Sequence, residues 1–244
     1  MDMLTGDEIA AAALTDWRKL AQGLHARYRV EGFAAGARFV AAVGEAGDAL
    51  GHHPRVAMGR SHVDLKLSSA DAVYRADDGT EYVVEWVTQQ DLDLARRITE
   101  VAAEHGLTAD PMGVSVVELG LDTTSSAAVA PFWAALLMGE PEAQGRGTPG
   151  DEVRDATGRV PNLWFNDVEP AGADSGTDSG GASPQRFHVE VYVPREEAER
   201  RLAAALAAGG TVVDDSDAPG LIVVADPEGN RGVLCVAEPP APQD

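Results

Sequence analysis

The sequence predicts an α+β protein made of two successive segments. Three observations carry this prediction. The stretch "SHVDLKLSS" at 61–69 alternates apolar and polar residues, apolar residues recur every three or four positions within 33–50, and the second half contains a weak internal repeat. Strand faces repeat every second residue and helix faces every three to four, so both kinds of element are expected. The 244 residues suffice for two ordinary domains.

The composition excludes several classes of partner. The chain holds 40 acidic and 19 basic residues, a formal charge of −21, whereas binding to nucleic acid or an anionic membrane needs clustered Lys and Arg. Cys235 is the only cysteine, which rules out an intrachain disulfide and a thiolate metal cluster. The sequence shows no membrane-spanning run and no signal peptide. We therefore expect a cytoplasmic protein with no membrane partner.

The first segment opens with a predicted helix over 5–24, in which Thr5 and Glu8 have the spacing of a capping box. The stretch "HARYRVEG" at 25–32 then alternates like a strand. A second helix should end near residues 51–54, because the proline there cannot continue it. One face of this helix collects Phe33, Ala37, Val40, Ala41 and Gly44.

A strand, a hairpin and a helix complete this segment. The strand at 61–69 is followed by "AVYRADDGTEYVVEW" at 72–86, which predicts a hairpin with its turn at 77–79. Thr88 can cap the last helix and Gly106 can end it. The apolar face of that helix collects Leu94, Ile98 and Val101.

Beyond a linker at 105–113, the sequence repeats itself with an offset of 70 residues. Each copy has the pattern of a strand, a helix and a glycine turn, followed by strand-like stretches, which indicates two similar modules. Between the copies, the Gly-, Ser- and Asp-rich stretch at 169–185 predicts a flexible loop. The aligned pairs are Glu118 with His188, Leu121 with Val191, Phe132 with Leu202, Leu136 with Leu206, and Gly139 with Gly209.

The adjacent histidines His52 and His53 are the main candidates for chemistry in the first segment. Neighbouring residues of a helix or strand point in different directions, so such a pair cannot share one regular face. At a break before Pro54, both rings can turn into one pocket. The alternative is a polar helix terminus, at which the imidazoles cap the last carbonyl groups.

Residues 5–104 resemble the pterin-4a-carbinolamine dehydratase family. The resemblance implies a four-stranded antiparallel sheet with helices on one face, often assembled into dimers or tetramers, so a homodimer is one expected state. It also implies a hydro-lyase reaction without metal or cofactor, the loss of water from a 4a-hydroxytetrahydropterin of the tetrahydrobiopterin type. The residues that carry it are Trp17, Tyr28 and its strand, the helix 33–50, His52-His53-Pro54, the strand 63–69, and Asp91, Leu94, Ala95 and Ile98.

By this resemblance, His52 and His53 occupy the family's paired-histidine positions. One would protonate the 4a-oxygen and the other would take the proton of ring nitrogen N5, and imidazole can do either near neutral pH. Asp48 falls where the family often has a carboxylate that orients an imidazole. The positions expected at the substrate are Pro54, Ser68 and Ser69.

The chain departs from the family where a third histidine is expected. Ala70 stands there, and its side chain can neither donate nor accept a proton. His62 lies eight residues back, about 26 Å along a strand at about 3.3 Å per residue, so it cannot substitute. Asp71 and Glu85 are nearer candidates. Losing one general acid or base lowers the rate by about 10²–10⁴-fold, so a slow dehydratase and a pocket without turnover are both open.

Residues 114–237 resemble a glyoxalase-like domain of the vicinal oxygen chelate superfamily, through "LDTTSSAAVAPFWAALL", "RFHVEVYVP" and "VVADPEGN". The resemblance implies two βαβββ modules around one cavity, with four metal ligands in the metal-dependent members. Glu118 and His188 fall on two of those positions. The other two fall near Trp164 or Phe165 and at Val233, none of which is a metal ligand.

We therefore expect no metal in the second segment. The expected cavity binds an aromatic or apolar small molecule and is lined by Glu118, Trp164, Phe187 and His188. The alternative for His188 is an ordinary strand residue without a role in binding.

The sequence thus predicts a dehydratase-like domain over 1–108, a glyoxalase-like domain over 113–238 and a tail over 239–244. The predicted function is dehydration of a pterin 4a-carbinolamine, weakened by Ala70. The competing prediction is a non-catalytic small-molecule binder that uses the pterin-like pocket, the second cavity or both. A metal-dependent glyoxalase-type enzyme is the third interpretation, which the missing ligands disfavour.

Overall fold

The computed structural model describes residues 1–130, 136, 152–153, 161–168, 187–225, 227, 229 and 231–236. These described residues belong to two compact units. The first unit lies within Met1–Val116, Tyr192–Arg201 and Val236–Asp244, and the second within Val117–Val191 and Leu202–Cys235. The predicted loop 169–185 and the tail 239–244 lie outside the described residues.

The first unit is built on an antiparallel sheet with helices on one face. The sheet has the order β1-β2-β4-β3, with β7 pairing β2, while β5 and β6 form a separate hairpin. Its strands are β1 (Arg18–Leu20), β2 (Gly23–Arg29), β3 (Arg55–Met58), β4 (His62–Leu67), β5 (Ser69–Arg75), β6 (Glu81–Trp86) and β7 (Thr108–Ala109). Its helices are α1 (Gly6–Ala11), α2 (Phe33–Leu50) and α3 (Gln89–Glu104).

The core of this unit lies between the sheet and the two long helices. Every second residue of β2 and β4 is buried, so one face of the sheet is apolar. Tyr28 of β2 packs edge-on against Phe39 of α2, with ring centroids 5.2 Å apart. The α+β class is confirmed, as is the predicted strand face of Val63, Leu65 and Leu67.

The predicted helix over 5–24 is wrong beyond its first turns. The capping box of Thr5 and Glu8 is present, but α1 ends at Ala11, and Ala13 has a positive φ of 53°. The chain then forms β1, which pairs with β2. Strand pairing and burial of Trp17 outweigh the helix propensity of an alanine-rich stretch.

The segment that carries the two histidines begins where α2 stops. Gly51 adopts a left-handed conformation with φ of 65° and donates its backbone N–H to Gly47, which closes the helix. His52 and His53 therefore follow the cap and precede β3. The predicted hairpin at 72–86 is also confirmed as β5 and β6, and Thr88 precedes α3 as expected.

The second unit contains a six-stranded sheet of order β11-β12-β13-β10-β8-β9. Its strands are β8 (Val116–Thr123), β9 (Leu163–Asp167), β10 (Phe187–Val193), β11 (Thr211–Asp214), β12 (Leu221–Ala225) and β13 (Arg231–Val236), and helix α4 (Arg195–Ala207) follows β10. The second repeat copy is thus a complete βαβββ module. In the first copy the structure describes β8, helical residues 126–130 and β9. The strands that open the two copies are neighbours in the sheet.

None of the helices within the described residues has the length and apolar character of a membrane span.

Candidate active site

The two histidines lie between the cap of α2 and the start of β3, in a segment that belongs to no strand. Each imidazole has an aspartate partner on a different helix. His52 contacts Asp91 of α3, and His53 contacts Asp48 of α2.

His52 points to a buried carboxylate. Its Nε2 atom lies 2.7 Å from Oδ1 of Asp91, and the two side chains are 13% and 0% exposed. The other carboxylate oxygen, Oδ2, accepts hydrogen bonds from Ser69 Oγ at 2.9 Å and from Thr88, through its backbone N–H at 2.8 Å and its hydroxyl at 3.1 Å. The groups around Oδ2 are thus a backbone N–H and two hydroxyl groups, and these two hydroxyl oxygens also lie 2.8 Å from each other.

This contact can hold His52 in one tautomer. A carboxylate accepts the hydrogen of Nε2, and the Nδ1 atom of the neutral ring then keeps a lone pair. In that tautomer, Nδ1 is the ring atom available to take a proton.

His53 has an exposed partner instead. Its Nε2 atom lies 2.9 Å from Oδ1 of Asp48, with side chains 55% and 82% exposed. The imidazole packs against α2 at Gly47, where an added Cβ would come within 2.7 Å of the ring. Asp48 was expected to orient an imidazole, and the imidazole it contacts is that of His53. The imidazole of His52 contacts Asp91 instead.

The other expected substrate positions lie beside this pair. Ser69 is buried and bonds Asp91, whereas Ser68 donates its hydroxyl to Glu85 at 2.7 Å. Pro54 is half-buried between His53 and β3. The structure joins Ser69 to His52 through Asp91, whereas the hydrogen bond of Ser68 goes to Glu85 on β6.

The residues considered as replacements for the third histidine differ in burial and in position. Ala70 and Asp71 are exposed, and His62 lies at the opposite end of β4. Burial alone would raise the pKa of Glu85, but Lys66, the hydroxyl of Ser68 and the charge of Arg55 lower it to about 2. Glu85 is therefore ionised near neutral pH and is a poor general acid.

Asp91 contacts His52 but is not among the site residues predicted from the sequence. Its spacing from Thr88 is that of a capping box, so the sequence explains the carboxylate as part of a helix start. The same spacing does not indicate that the carboxylate also contacts a histidine. The signal in the sequence was a carboxylate at the third position of a helix in the same segment as a pair of histidines, which is a possible partner for one of them.

His25 is a buried histidine of a different kind. Its Nε2 atom is buried with no hydrogen-bond partner among the described residues. Burial and the positive charges of Lys66 and Lys19 lower the pKa of His25 to about 3. It is neutral at physiological pH.

The second unit presents a polar sheet face that holds three of the four expected cavity residues. Gly120 pairs with Trp164 across β8 and β9, so Glu118, two residues before Gly120, is on the same face. The ring of His188 contacts that of Trp164 edge-on, with centroids 5.3 Å apart. Trp164 donates its indole N–H to Glu190 at 3.2 Å.

Phe187 does not share that face. Adjacent residues of a strand point to opposite sides of the sheet, so Phe187 points away from the face of His188, and it is exposed. The structure thus places Phe187 and His188 on opposite faces of β10. Within the described residues, no three His, Cys, Asp or Glu side chains are grouped so that they could hold a metal ion.

Together, the antiparallel sheet with helices on one face and an imidazole held by a buried carboxylate define a class of small α+β proteins equipped for acid–base chemistry. Residues 2–101 match the family model described as pterin 4 alpha carbinolamine dehydratase. Residues 118–236 match the model described as a glyoxalase-like domain. Both resemblances drawn from the sequence are confirmed.

Relatives of known sequence agree with this assignment. A protein of Natronomonas pharaonis, whose name assigns it provisionally to pterin-4-alpha-carbinolamine dehydratase, is 30% identical over 101 residues, which are 41% of this chain and 97% of that protein. A protein of Koribacter versatilis with the same name is 30% identical over 100 residues, 40% of this chain and 94% of its own. The chain belongs to the pterin-4a-carbinolamine dehydratase family through its first segment.

A solved structure was also matched. The transcriptional coactivator/pterin dehydratase of Brucella melitensis superposes with a TM-score of 0.34 and 23% sequence identity, covering 41% of this chain and 99% of that one.

Proposed function

We propose that the first segment removes water from a 4a-hydroxytetrahydropterin and releases a quinonoid dihydropterin. The observation that carries this proposal is the contact between His52 and the buried carboxylate of Asp91. A carboxylate held by three donors keeps the imidazole in one tautomer and one orientation and stabilises the imidazolium that forms when the ring takes a proton. The membership of the family supplies the reaction class.

The two histidines divide the proton transfers. His53 donates a proton to the 4a-hydroxyl group, so that the C4a–O bond breaks and the oxygen departs as water. The Nδ1 atom of His52 takes the proton of N5, and the electron pair of the N5–H bond forms the C4a–N5 double bond. The two imidazoles recover their starting protonation by exchange with water.

Because Ala70 stands where the family has a third histidine, the proposed site has two histidines for proton transfer. The expected consequence is a rate below that of an enzyme with a third acid–base group, because one such group contributes about 10²–10⁴-fold. The orientation of His52 does not depend on position 70, since its partner comes from α3.

The test is a dehydration assay on 4a-hydroxytetrahydropterin generated in situ, with the wild type, His52→Ala and His53→Ala. We expect the wild type to accelerate the reaction over its uncatalysed rate, and each substitution to reduce the acceleration by at least about tenfold. An acceleration that survives both substitutions would contradict the assignment. No acceleration in the wild type would contradict the activity itself.

A second candidate is a small-molecule binder without turnover. The exposed Ala70 at the third-histidine position favours it, as does the polar face of the second unit with Trp164 and His188. A wild-type chain that binds an unreactive pterin but leaves the dehydration rate unchanged would support this candidate over the enzyme.

The organisation of the chain stays a prediction. We expect a dehydratase-like domain over 1–108 and a glyoxalase-like domain over 113–238, in a cytoplasmic protein that can form a homodimer. Limited proteolysis that cuts first within 109–112 or 169–185, together with the mass measured in solution, would test these expectations.

A further inference from the structure

Gly47 is a buried glycine of α2 that contacts both members of the histidine pair. Its carbonyl oxygen accepts the backbone N–H of His52 at 3.1 Å, in addition to the N–H of Gly51. Such hydrogen bonds typically close a helix that ends in a left-handed residue. Here they also fix the backbone from which the imidazole of His52 reaches Asp91. The histidine segment is therefore attached to α2 at residue 47.

The missing side chain of Gly47 leaves space for His53. A Cβ atom added at residue 47 would lie 2.7 Å from Cδ2 of His53 and 3.3 Å from its Nε2 atom. It would also lie 2.8 Å from the carbonyl oxygen of His52. These separations are shorter than van der Waals contact, so any residue larger than glycine has to displace the ring, the backbone or both.

The backbone of residue 47 does not itself require glycine. Residue 47 lies within α2, and the positive φ at this end of the helix is that of Gly51. Inside a helix, glycine is less favourable than alanine by about 0.5–1 kcal/mol. A Cβ atom added at Gly44, three residues earlier in the same helix, would meet open space. The close approach of the two histidines thus distinguishes Gly47 from Gly44.

We propose that Gly47 is a positioning residue of the dehydration site, because it holds the imidazole of His53 against α2. This inference rests on the proposed function, in which His53 donates a proton to the 4a-hydroxyl group. The ring also contacts Asp48 at 2.9 Å, but that carboxylate is 82% exposed and water screens its attraction. Packing against Gly47 therefore contributes more to the position of the ring than the charge of Asp48 does.

The size of the expected displacement follows from the distances. Carbon atoms in contact lie about 3.5–4.0 Å apart, whereas a Cβ at residue 47 would begin 2.7 Å from the ring of His53. The ring would have to move by about 1 Å, and a misplacement of about 1 Å in a reacting group can lower a rate by about 100-fold. A single methyl group at residue 47 should therefore impair proton transfer.

The experiment measures kcat and KM for dehydration with the full chain as wild type, Gly47→Ala and Gly44→Ala. Both substitutions add one methyl group to α2 and improve its helix propensity, so Gly44→Ala is the matched control. We expect Gly47→Ala to lower kcat by at least about tenfold with less than about a threefold change in KM. Gly44→Ala should stay within about twofold of the wild type. Equal kcat values in the two variants overturn the inference.

A second measurement follows the ring itself and does not depend on the folding of a variant. In the wild type, NMR should show a nuclear Overhauser effect between the Hα protons of Gly47 and the Hδ2 proton of His53, whose Cδ2 atom is the closest ring atom. His53→Ala assigns the ring signals. Gly47→Ala should shift them and leave those of His62 unchanged. Absence of the effect in the wild type overturns the inference.

The outcomes separate this inference from the proposed function. If the wild type accelerates dehydration and Gly47→Ala is as fast as Gly44→Ala, only the role of Gly47 fails. If the wild type does not accelerate dehydration, the proposed function fails, and the role of Gly47 in that reaction fails with it even when the NMR contact is present.

Discussion

The two adjacent histidines of this chain each face an aspartate at a similar distance, yet the two pairs differ in burial and in surroundings. His52 and Asp91 are shielded from water and joined to a network of hydroxyl groups. His53 and Asp48 are both largely exposed. The comparison shows that the partner and its burial, rather than the His-His pattern, decide what each ring can do.

The energetic difference follows from the surrounding medium. An exposed ion pair in water contributes little, because the solvent screens the charges and the side chains are mobile. A buried carboxylate that lost its imidazole would be left without a partner in a low-dielectric setting, which is strongly unfavourable. We therefore expect changes at the buried pair to be large and changes at the exposed pair to be small.

The largest effect is expected for Asp91→Asn. The asparagine amide group has N–H donors where one carboxylate oxygen accepted. His52 is then no longer held in the tautomer with hydrogen on Nε2, and the donors of Ser69 and Thr88 lose an acceptor. We expect kcat for dehydration to fall by about 100-fold or more while KM changes less. Asp93→Asn is the control, because Asp93 lies exposed on the same helix and pairs with Arg96. An Asp91→Asn enzyme as fast as Asp93→Asn would show that the buried carboxylate does not act on the reaction.

A smaller effect is expected for Ser69→Ala. This change removes one of the donors to Asp91 and leaves the histidine contact in place. We expect about a tenfold loss of kcat and about 2 kcal/mol lower free energy of unfolding, typical of one buried hydrogen bond to a charged group. Ser69→Thr keeps the hydroxyl group and should retain most of the activity. Equal losses in the two variants would argue for a packing effect instead of a hydrogen bond.

Asp48→Asn should change little. The carboxylate is mostly in solvent, so we expect less than about a threefold change in kcat and no measurable change in Tm. The small effect should also diminish as salt is added. A loss of kcat as large as that expected for Asp91→Asn would show that the exposed pair of His53 and Asp48 matters as much as the buried pair of His52 and Asp91.

The smallest effect on turnover is expected for His25→Gln. This substitution should change only the pH dependence of the free energy of unfolding. The pKa of His25 is lowered from 6.5 to about 3 in the folded chain, so between these values the unfolded chain binds a proton that the folded chain does not. Unfolding free energy should therefore fall as the pH drops from about 6.5 towards about 3. The variant should lose less stability over this range, as followed by urea unfolding at several pH values. If the free energy of unfolding depended on pH equally in the wild type and in His25→Gln, His25 would not be a buried histidine that stays neutral in the folded chain.

Periodicity predicted most of the first fold correctly because the signals were strong and local. The alternation in β4, carried by Val63, Leu65 and Leu67, and the capping spacing before α3 both correspond to observed elements. The helix expected to reach residue 24 failed because β1 is stabilised by pairing with β2, a non-local interaction that an alanine-rich stretch does not reveal.

The candidate site was predictable only in part, and for a similar reason. His52 and His53 stand out in the sequence, but their partners are decided by the fold. Asp48 is near in sequence and contacts His53, while Asp91 lies 39 residues beyond His52 and contacts it through packing. In the second unit, Phe187 and His188 look equivalent in sequence although strand alternation separates them.

The most direct test of the central claim is a double-mutant cycle on the dehydration rate with His52→Ala, Asp91→Asn and the double variant. If Asp91 acts through His52, the double variant should be no slower than His52→Ala, because the carboxylate has nothing left to orient. If the two losses multiply in the double variant, Asp91 and His52 act independently, and the buried pair is not the unit that performs the chemistry.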